Sequence, residues 1–246
     1  MKGISDMKFK YASALGGVMM ITVIGSVFAD EASPKPWKGN AELGIVKTSG
    51  NTSTQSINAS AGIVYKRDRW THNGKFELLN SSSDNVTSAE RYTATGKSDY
   101  KLDELSYVFG RLDYENDRFA GFEYRTTEVI GYGRRVINRD TVTLDLEAGP
   151  GARQIKYIHG DSKNEAIGRV AAMFAWKVSD TATFTEDLSS DIGQDATISK
   201  SVTALKAQVA GNLGMKVSFT VRNVSKVPVG TNKTDRETTI TLVYGF

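Results

Sequence analysis

The sequence contains no cysteine and only four prolines. The lack of cysteine excludes a disulfide framework, a cysteine-built zinc site, a thiol nucleophile and a lipidated amino-terminal cysteine. A mean hydropathy of −0.33 excludes a bundle of membrane helices, because each helix would need about 20 consecutive apolar residues. The charge is also nearly balanced, with 31 Lys and Arg against 28 Asp and Glu, so no nucleic-acid partner is expected.

The first segment has the layout of a secretory signal peptide. A basic start is followed by an uncharged stretch, 11–27, and then by Val27-Phe28-Ala29. We therefore predict a signal peptide over 1–29, cleaved after Ala29, and a short periplasmic segment over 30–36; an uncleaved anchor helix is the alternative. Export without any cysteine is typical of a bacterial envelope protein.

From residue 37 onward, apolar and polar residues alternate with the period of two that is typical of β-strands. Most of the alternating segments are near ten residues or longer, as a tilted strand that crosses a bilayer requires, whereas soluble strands are mostly about 5–6 residues. We count twelve strands, at 37–47, 54–66, 70–80, 90–101, 106–115, 122–136, 141–153, 165–177, 182–190, 196–208, 213–224 and 236–246.

The connections between these strands alternate short and long, as they do in barrels with short periplasmic turns and longer extracellular loops. The fold class that we predict is therefore all-β, a closed antiparallel transmembrane β-barrel of about 12 strands over 37–246. The long loops are expected at 48–53, 81–89, 116–121, 154–164, 189–197 and 225–235. Aromatic girdles are expected from Trp37, Tyr65, Trp70, Tyr100, Tyr107, Trp176 and Phe246 at the periplasmic interface, and from Tyr92 and Tyr114 at the outer one.

The last strand carries its own signal. Ile240, Leu242, Tyr244 and Phe246 share one face, and the strand ends on the terminal Phe. It resembles the terminal strand of bacterial outer-membrane barrels, which the barrel-assembly machinery recognises. We therefore expect that machinery as a partner during biogenesis, with outer-membrane lipid and lipopolysaccharide as surroundings in the bacterial outer membrane.

A series of short motifs is spread in order along the whole barrel segment. They are Leu43-Gly44, Thr48-Ser49-Gly50-Asn51-Thr52, Asp117-Arg118-Phe119-Ala120-Gly121, Gly131-Tyr132-Gly133, Glu147-Ala148-Gly149-Pro150-Gly151, Trp176-Lys177-Val178-Ser179, Pro228 to Lys233 with Asp235, and Val243-Tyr244-Gly245-Phe246. The ordered set resembles the salt-induced outer membrane protein family, which is catalogued as a domain of unknown function. The resemblance implies an outer-membrane barrel and brings no catalytic residues with it.

The alternation also predicts which charged side chains point into the barrel. Eight are basic and six are acidic: Lys75, Lys97, Arg111, Arg169, Lys200, Lys206, Lys216 and Arg222, and Glu42, Glu77, Asp99, Asp113, Asp145 and Glu147. Opposite charges in a partly desolvated lumen should pair across strands. The pairs either form a polar plug or leave a narrow water path that favours anionic solutes. No lumen residue is assigned in 122–136 or 182–190, because charges occur there on conflicting faces.

The sequence gives little support to the hypothesis that the protein is an enzyme. Its two histidines, His72 and His159, have no serine beside them at a convincing inward spacing, and Asp187, Asp191 and Asp195 read as solvated loop carboxylates. We expect no catalytic residue, no metal and no cofactor. The predicted function is an outer-membrane barrel that acts in the envelope or in osmotic stress, or that passes small solutes. The alternatives are a soluble periplasmic barrel that binds an apolar ligand and an outer-membrane hydrolase.

Overall fold

The computed structural model describes residues 36–48, 54–84, 86–158, 160–227 and 232–246. Within these ranges there is no helix that is long and apolar enough to cross a membrane. Twelve strands are present: β1 (Trp37–Thr48), β2 (Thr54–Arg67), β3 (Trp70–Ser83), β4 (Val86–Lys101), β5 (Ser106–Asp117), β6 (Phe122–Asn138), β7 (Val142–Tyr157), β8 (Ser162–Lys177), β9 (Ala182–Gly193), β10 (Thr197–Ala210), β11 (Leu213–Val224) and β12 (Thr234–Gly245). The predicted signal peptide lies outside the described residues, as does the following segment up to residue 35.

The strands form one closed antiparallel barrel in which every strand pairs with its neighbours in sequence. The ring closes between β1 and β12, with Asn40 opposite Gly245 and Leu43 opposite Leu242. Gly39 and Phe246 exchange two backbone hydrogen bonds, of 2.8 and 2.9 Å, at this seam. Because hydrocarbon offers no partner to a free N–H or C=O group, closure is what allows such a sheet to span a membrane. The predicted fold class is confirmed.

The strands run further at the loop end than the sequence predicted. Most of the predicted loop 81–89 is strand, since β3 continues to Ser83 and β4 starts at Val86. The predicted loop 189–197 likewise shrinks to the segment between Gly193 and Thr197. These stretches are rich in Ser and Thr and lack apolar alternation, yet their hydroxyls pair across strands, as Ser56 Oγ and Ser81 Oγ do at 2.9 Å. The observed loops are therefore closer in length to the turns than the sequence predicted.

The outer surface of the barrel is apolar and the interior is polar. Among the described residues, the buried apolar ones are few, and Phe109, Val129 and Ile167 form one small cluster. The outward face instead exposes large apolar side chains on every side, including Leu43, Ile63, Phe76, Leu112, Ile130, Val170, Leu188, Val217, Ile240 and Leu242. This is the reverse of a soluble barrel and matches a surface that faces lipid.

Aromatic side chains gather at the turn end of the barrel. The rings of Trp37 and Phe246 have centroids 6.0 Å apart, and those of Trp70 and Tyr100 are 4.9 Å apart. The predicted place of Tyr107 in this girdle is wrong: it shares the inward face with Phe109, and its hydroxyl donates a 2.7 Å hydrogen bond to Glu147. The alternation of β5 assigns it to the interior, where a buried phenol finds a polar partner.

The structure explains why charges fall on conflicting faces in the segments 122–136 and 182–190. β6 is irregular near both ends, between Phe122 and Tyr124 and between Arg135 and Ile137. Such bulges change which residues point inward, so a strict period of two does not separate inward from outward residues along the whole of β6. In β9 the outward Glu186 accepts hydrogen bonds from the hydroxyls of Ser201, at 2.7 Å, and Thr203, at 2.5 Å, which supply it with polar partners.

Candidate functional site: the barrel lumen

The lumen contains a cavity of about 490 Å³ that is lined by ionised and small polar side chains. Four residues predicted for the lumen do not border this cavity, but strand alternation places Asp99, Asp145, Glu147 and Lys206 on the same inward faces. The other predicted residues do border it: Glu42, Lys75, Glu77, Lys97, Arg111, Asp113, Arg169, Lys200, Lys216 and Arg222.

The inward charges toward the turn end of β4 and β7 form a compact cluster around Lys97. Its ammonium lies 2.5 Å from Glu147 and 2.8 Å from Asp99. It also lies over the rings of Tyr107 and Phe109, 5.1 and 5.0 Å from their centroids. The Glu147 side chain is only 2% exposed, so its charge depends on Lys97 and on the Tyr107 hydroxyl rather than on water.

Other lumen charges pair with a residue on the same or an adjacent strand. The guanidinium of Arg111 forms two hydrogen bonds with Asp113, of 2.6 and 2.7 Å. Arg169 donates a 2.6 Å hydrogen bond to Asp191. Such charge-assisted arginine–carboxylate contacts are short, directional and stronger than neutral hydrogen bonds. They fix these side chains along the wall.

Two further ion pairs reach across the lumen in its loop-end half. Arg222 on β11 donates a 2.8 Å hydrogen bond to Glu115 on β5, which also pairs with Arg125 on β6. β5 and β11 lie on opposite sides of the ring of twelve strands. Arg91 on β4 similarly reaches Glu237 on β12 at 2.8 Å. These two contacts, which we call the cross-lumen bridges, narrow the passage toward the loop end.

The most deeply buried charge in the described chain is Arg153 on β7, whose side chain is 1% exposed. It donates to Glu165 at 2.8 Å and to the carbonyl oxygen of Ala196 at 2.5 Å. The backbone N–H of Asp195 donates to the same carboxylate at 2.9 Å. This pair therefore anchors the β9–β10 connection to the barrel wall, which is a structural role.

The cavity also has a part in which the charges remain wet. Lys75 and Glu77 pair at 2.7 Å with side chains that are 49% and 38% exposed. Lys200 is exposed within the lumen and forms none of the ion pairs found among the described residues. Lys216 pairs with Glu42 nearby on the β11–β1 side. Water therefore reaches the ionised side chains on this side of the lumen.

The opposite side of the lumen is filled because glycines make room for aromatic rings. A Cβ at Gly131 would lie 2.5 Å from the carbonyl oxygen of Ala148 and 2.7 Å from the ring of Phe109. A Cβ at Gly133 would overlap the ring of Tyr107 in the same way. The Tyr107 and Phe109 rings of β5 thus pack closely against the glycines of β6, and neither ring borders the cavity.

Sequence reasoning missed several lumen charges that turn out to be central. Arg125 and Arg135 lie on β6, where bulges obscured the alternation. Arg91, Glu115 and Glu237 lie at the ends of the predicted strands 90–101, 106–115 and 236–246, beside segments that the sequence predicts to be loops. Their inward phase follows from the alternation of each strand, so the missing information was the length of the strands.

The structure does not bring the histidines and aspartates considered in the sequence together into a catalytic or metal site among the described residues. His72 points outward, stacks on Trp70 with centroids 5.6 Å apart and hydrogen-bonds Ser98 at 2.9 Å, whereas His159 lies outside the described residues. The expectation for Asp187 and Asp191 is wrong, because both belong to β9 and point inward. Among the residues that the structure describes, no group of three or more His, Asp or Glu could hold a metal ion.

An apolar exterior, an ionised interior and a closed ring of twelve antiparallel strands define a transmembrane β-barrel of the outer-membrane type. Solved structures agree in fold. An outer membrane channel from Pseudomonas putida F1 is 14% identical, with a TM-score of 0.51 over 88% of this chain and 97% of that one. The NanC porin is 9% identical, with a TM-score of 0.51 over 85% and 98% of the two chains.

Sequence comparison identifies the family. The chain belongs to the family described as "Protein of unknown function, DUF481", whose profile matches residues 41–246. A relative from Escherichia coli strain K12, "Uncharacterized protein YdiY", is 33% identical over 227 residues, covering 90% of this chain and 88% of that protein. The family resemblance that the ordered motifs indicated is thus confirmed.

Proposed function

We propose that this protein resides in the bacterial outer membrane and passes ions and small polar solutes through a narrow lumen. The observation that carries the proposal is the cavity of about 490 Å³, enclosed by a complete ring of strands and lined by ionised side chains that water reaches. Twelve strands enclose less space than the 16–18 strands of general porins, and the cross-lumen bridges reduce it further. The similar folds of a porin and an outer membrane channel support this reading.

The same proposal includes the lipid environment of the barrel and its partner during biogenesis. The exposed apolar band suits lipid, with lipopolysaccharide in the outer leaflet, and the exposed apolar face of β12, with Ile240, Leu242, Tyr244 and Phe246, suits recognition by the barrel-assembly machinery. A soluble periplasmic barrel would leave this band in water. His72 faces outward and hydrogen-bonds Ser98, so its imidazole supplies no base to a hydrolase site in the lumen. We therefore propose a transport role and no catalysis.

Planar-bilayer recording of the purified barrel tests the proposal. We expect a small conductance, and we expect the Lys200→Glu variant to shift the reversal potential toward cation selectivity, because Lys200 is exposed in the lumen. Reversals of Lys97 and Lys216, which are 13% and 22% exposed, should alter selectivity less. Lys156→Glu is the matched control, since Lys156 pairs with Glu123 on the outward face. A barrel that never conducts, or that responds equally to all four changes, contradicts the proposal.

A further inference from the structure

One carboxylate in the lumen serves two arginines that come from opposite walls. Glu115 uses one oxygen for Arg125 of the neighbouring strand and the other for Arg222 on the far side of the barrel. Within the described chain, no other carboxylate lies within ion-pair distance of either guanidinium. The three side chains in direct contact therefore carry two positive charges against one negative charge.

The two guanidiniums use little of their hydrogen-bonding capacity. Each donates to Glu115 through a single terminal nitrogen, Nη2 for Arg125 and Nη1 for Arg222. A guanidinium has five N–H donors in a planar fork that fits both oxygens of a carboxylate at once. Both side chains border the cavity and are only 10% and 12% exposed, so their unused donors face the small enclosed volume of the lumen. Such donors bind an anion more strongly than they would in open water.

The other charged side chains that the structure describes near Arg125 and Arg222 form no ion pair with either guanidinium. Arg91 is occupied by Glu237 in the second cross-lumen bridge. Asp117 interacts electrostatically with Arg91 and Arg222 but is not within ion-pair distance of either, and it accepts a 3.0 Å hydrogen bond from the backbone N–H of Phe119. Asp235 is opposite Arg222 in the β11–β12 register and is exposed toward the mouth of the barrel. Glu115 is thus the one carboxylate of the described chain that contacts Arg125 and Arg222 directly.

We propose that Arg125 and Arg222 form a binding site for a carboxylate-bearing solute in the lumen, and that Glu115 occupies this site when no solute is present. Glu115 is then an internal substitute for the ligand, and the bridge that it completes holds the passage narrow. A solute carboxylate that replaces it on Arg222 opens the bridge while both arginines stay neutralised. The proposal rests on the water-accessible lumen proposed above and gives it a substrate class.

Equilibrium binding of glucuronate to the detergent-solubilised barrel, measured by calorimetry, tests the site. Glu115→Gln removes the competing carboxylate and keeps the side-chain shape, so we expect glucuronate to bind at least about tenfold more tightly than to the wild type. Uncharged glucose should not bind. Glu237→Gln is the matched control, because it frees a single guanidinium, Arg91, and should change the affinity little. Equal gains for both variants, or no gain for Glu115→Gln, overturn the proposal.

A second comparison does not depend on the folding of the Glu115 variant. Arg222→Gln keeps the Arg125–Glu115 pair and removes one half of the site, so it should abolish the glucuronate binding of the wild type; unchanged binding overturns the proposal. Binding and conduction are separate readouts. A barrel that binds glucuronate without conducting contradicts the channel proposal alone, and one that conducts without binding contradicts the carboxylate site alone.

Discussion

Ionised side chains in the lumen are held largely by other side chains. Removing a charge from water costs several kcal/mol, which an ion pair offsets only when the geometry is good and the remaining hydrogen bonds are made. Glu147 meets this condition with Lys97 and Tyr107, and Arg153 meets it with Glu165. Loss of one partner should therefore harm the barrel more than loss of both.

The glycines of β6 allow a test of the lumen packing. Gly131→Ala places a Cβ against the Ala148 carbonyl and the Phe109 ring, so the backbone or the ring must shift. We expect a loss of about 2 kcal/mol in the free energy of unfolding, measured by urea titration in detergent. Gly110→Ala on the adjacent strand is the control, because a Cβ there meets nothing within 4 Å. Equal stability of the two variants would contradict the packing described here.

The β4–β5 turn allows a pH test. The backbone N–H groups of Leu105 and Ser106 each donate a 2.8 Å hydrogen bond to Asp103 and hold the pKa of its carboxyl below the ordinary value of 3.8. A pKa lower in the folded than in the unfolded state stabilises the fold above the unfolded value, and this contribution is lost as pH falls through the folded pKa. Asp103→Asn should therefore be less stable than the wild type near neutral pH, and the difference should shrink below pH 3.8. Urea titrations across this range would contradict the account if the difference stayed constant.

At the scale of a single element, β12 is the strand that completes the ring. Phe246, which directly follows β12, packs on Trp37 and lies beside Tyr244, with ring centroids 6.0 and 6.4 Å away. Its backbone also closes the seam with Gly39. The closing pair β1–β12 has the shortest register of all the pairs, four residues long, so contacts at its end matter more than at other seams.

Phe246→Ala tests the role of this seam in assembly. We expect less of the protein in the folded, heat-modifiable form in membranes, with about 1 kcal/mol lost from the aromatic contacts in the part that does fold. Phe119→Ala is the matched control, because Phe119 is 54% exposed and Phe246 is 55% exposed. Phe119 lies in the β5–β6 connection, away from the β1–β12 seam. If both variants assemble equally well, the terminal ring has no special role.

Elements with clean alternation could be predicted from the sequence, and the others could not. The outward residues of β11 and β12 follow directly from Val217, Phe219, Ile240 and Leu242. In β3, the hydroxyl-rich end at Ser83 carries no apolar signal, although its backbone pairs with Thr54. In β6, bulges put charges on both faces. Alternation records which face meets lipid, so it is silent where a strand passes beyond the bilayer or bends.

At the scale of the whole molecule, the contacts that matter most join residues that are distant in sequence. Glu115 and Arg222 are 107 positions apart, and Arg91 and Glu237 are 146 positions apart. Each partner could be assigned to the interior from its own strand. Their meeting depends on the number of strands and on the stagger between them, which are properties of the closed ring. The narrowing of the lumen therefore emerges only from the assembled barrel.

The central claim is that water fills the inside of this ring and lipid covers its outside. Because the chain has no cysteine, single cysteines placed in matched pairs can test it cleanly. Ser60→Cys and Thr220→Cys place a thiol in the lumen, and Ile63→Cys and Val217→Cys place one on the outer face of the same strands. In isolated outer membranes, a small charged thiol reagent should label positions 60 and 220 and spare 63 and 217. Labelling of the outer pair as fast as the inner pair would contradict the account.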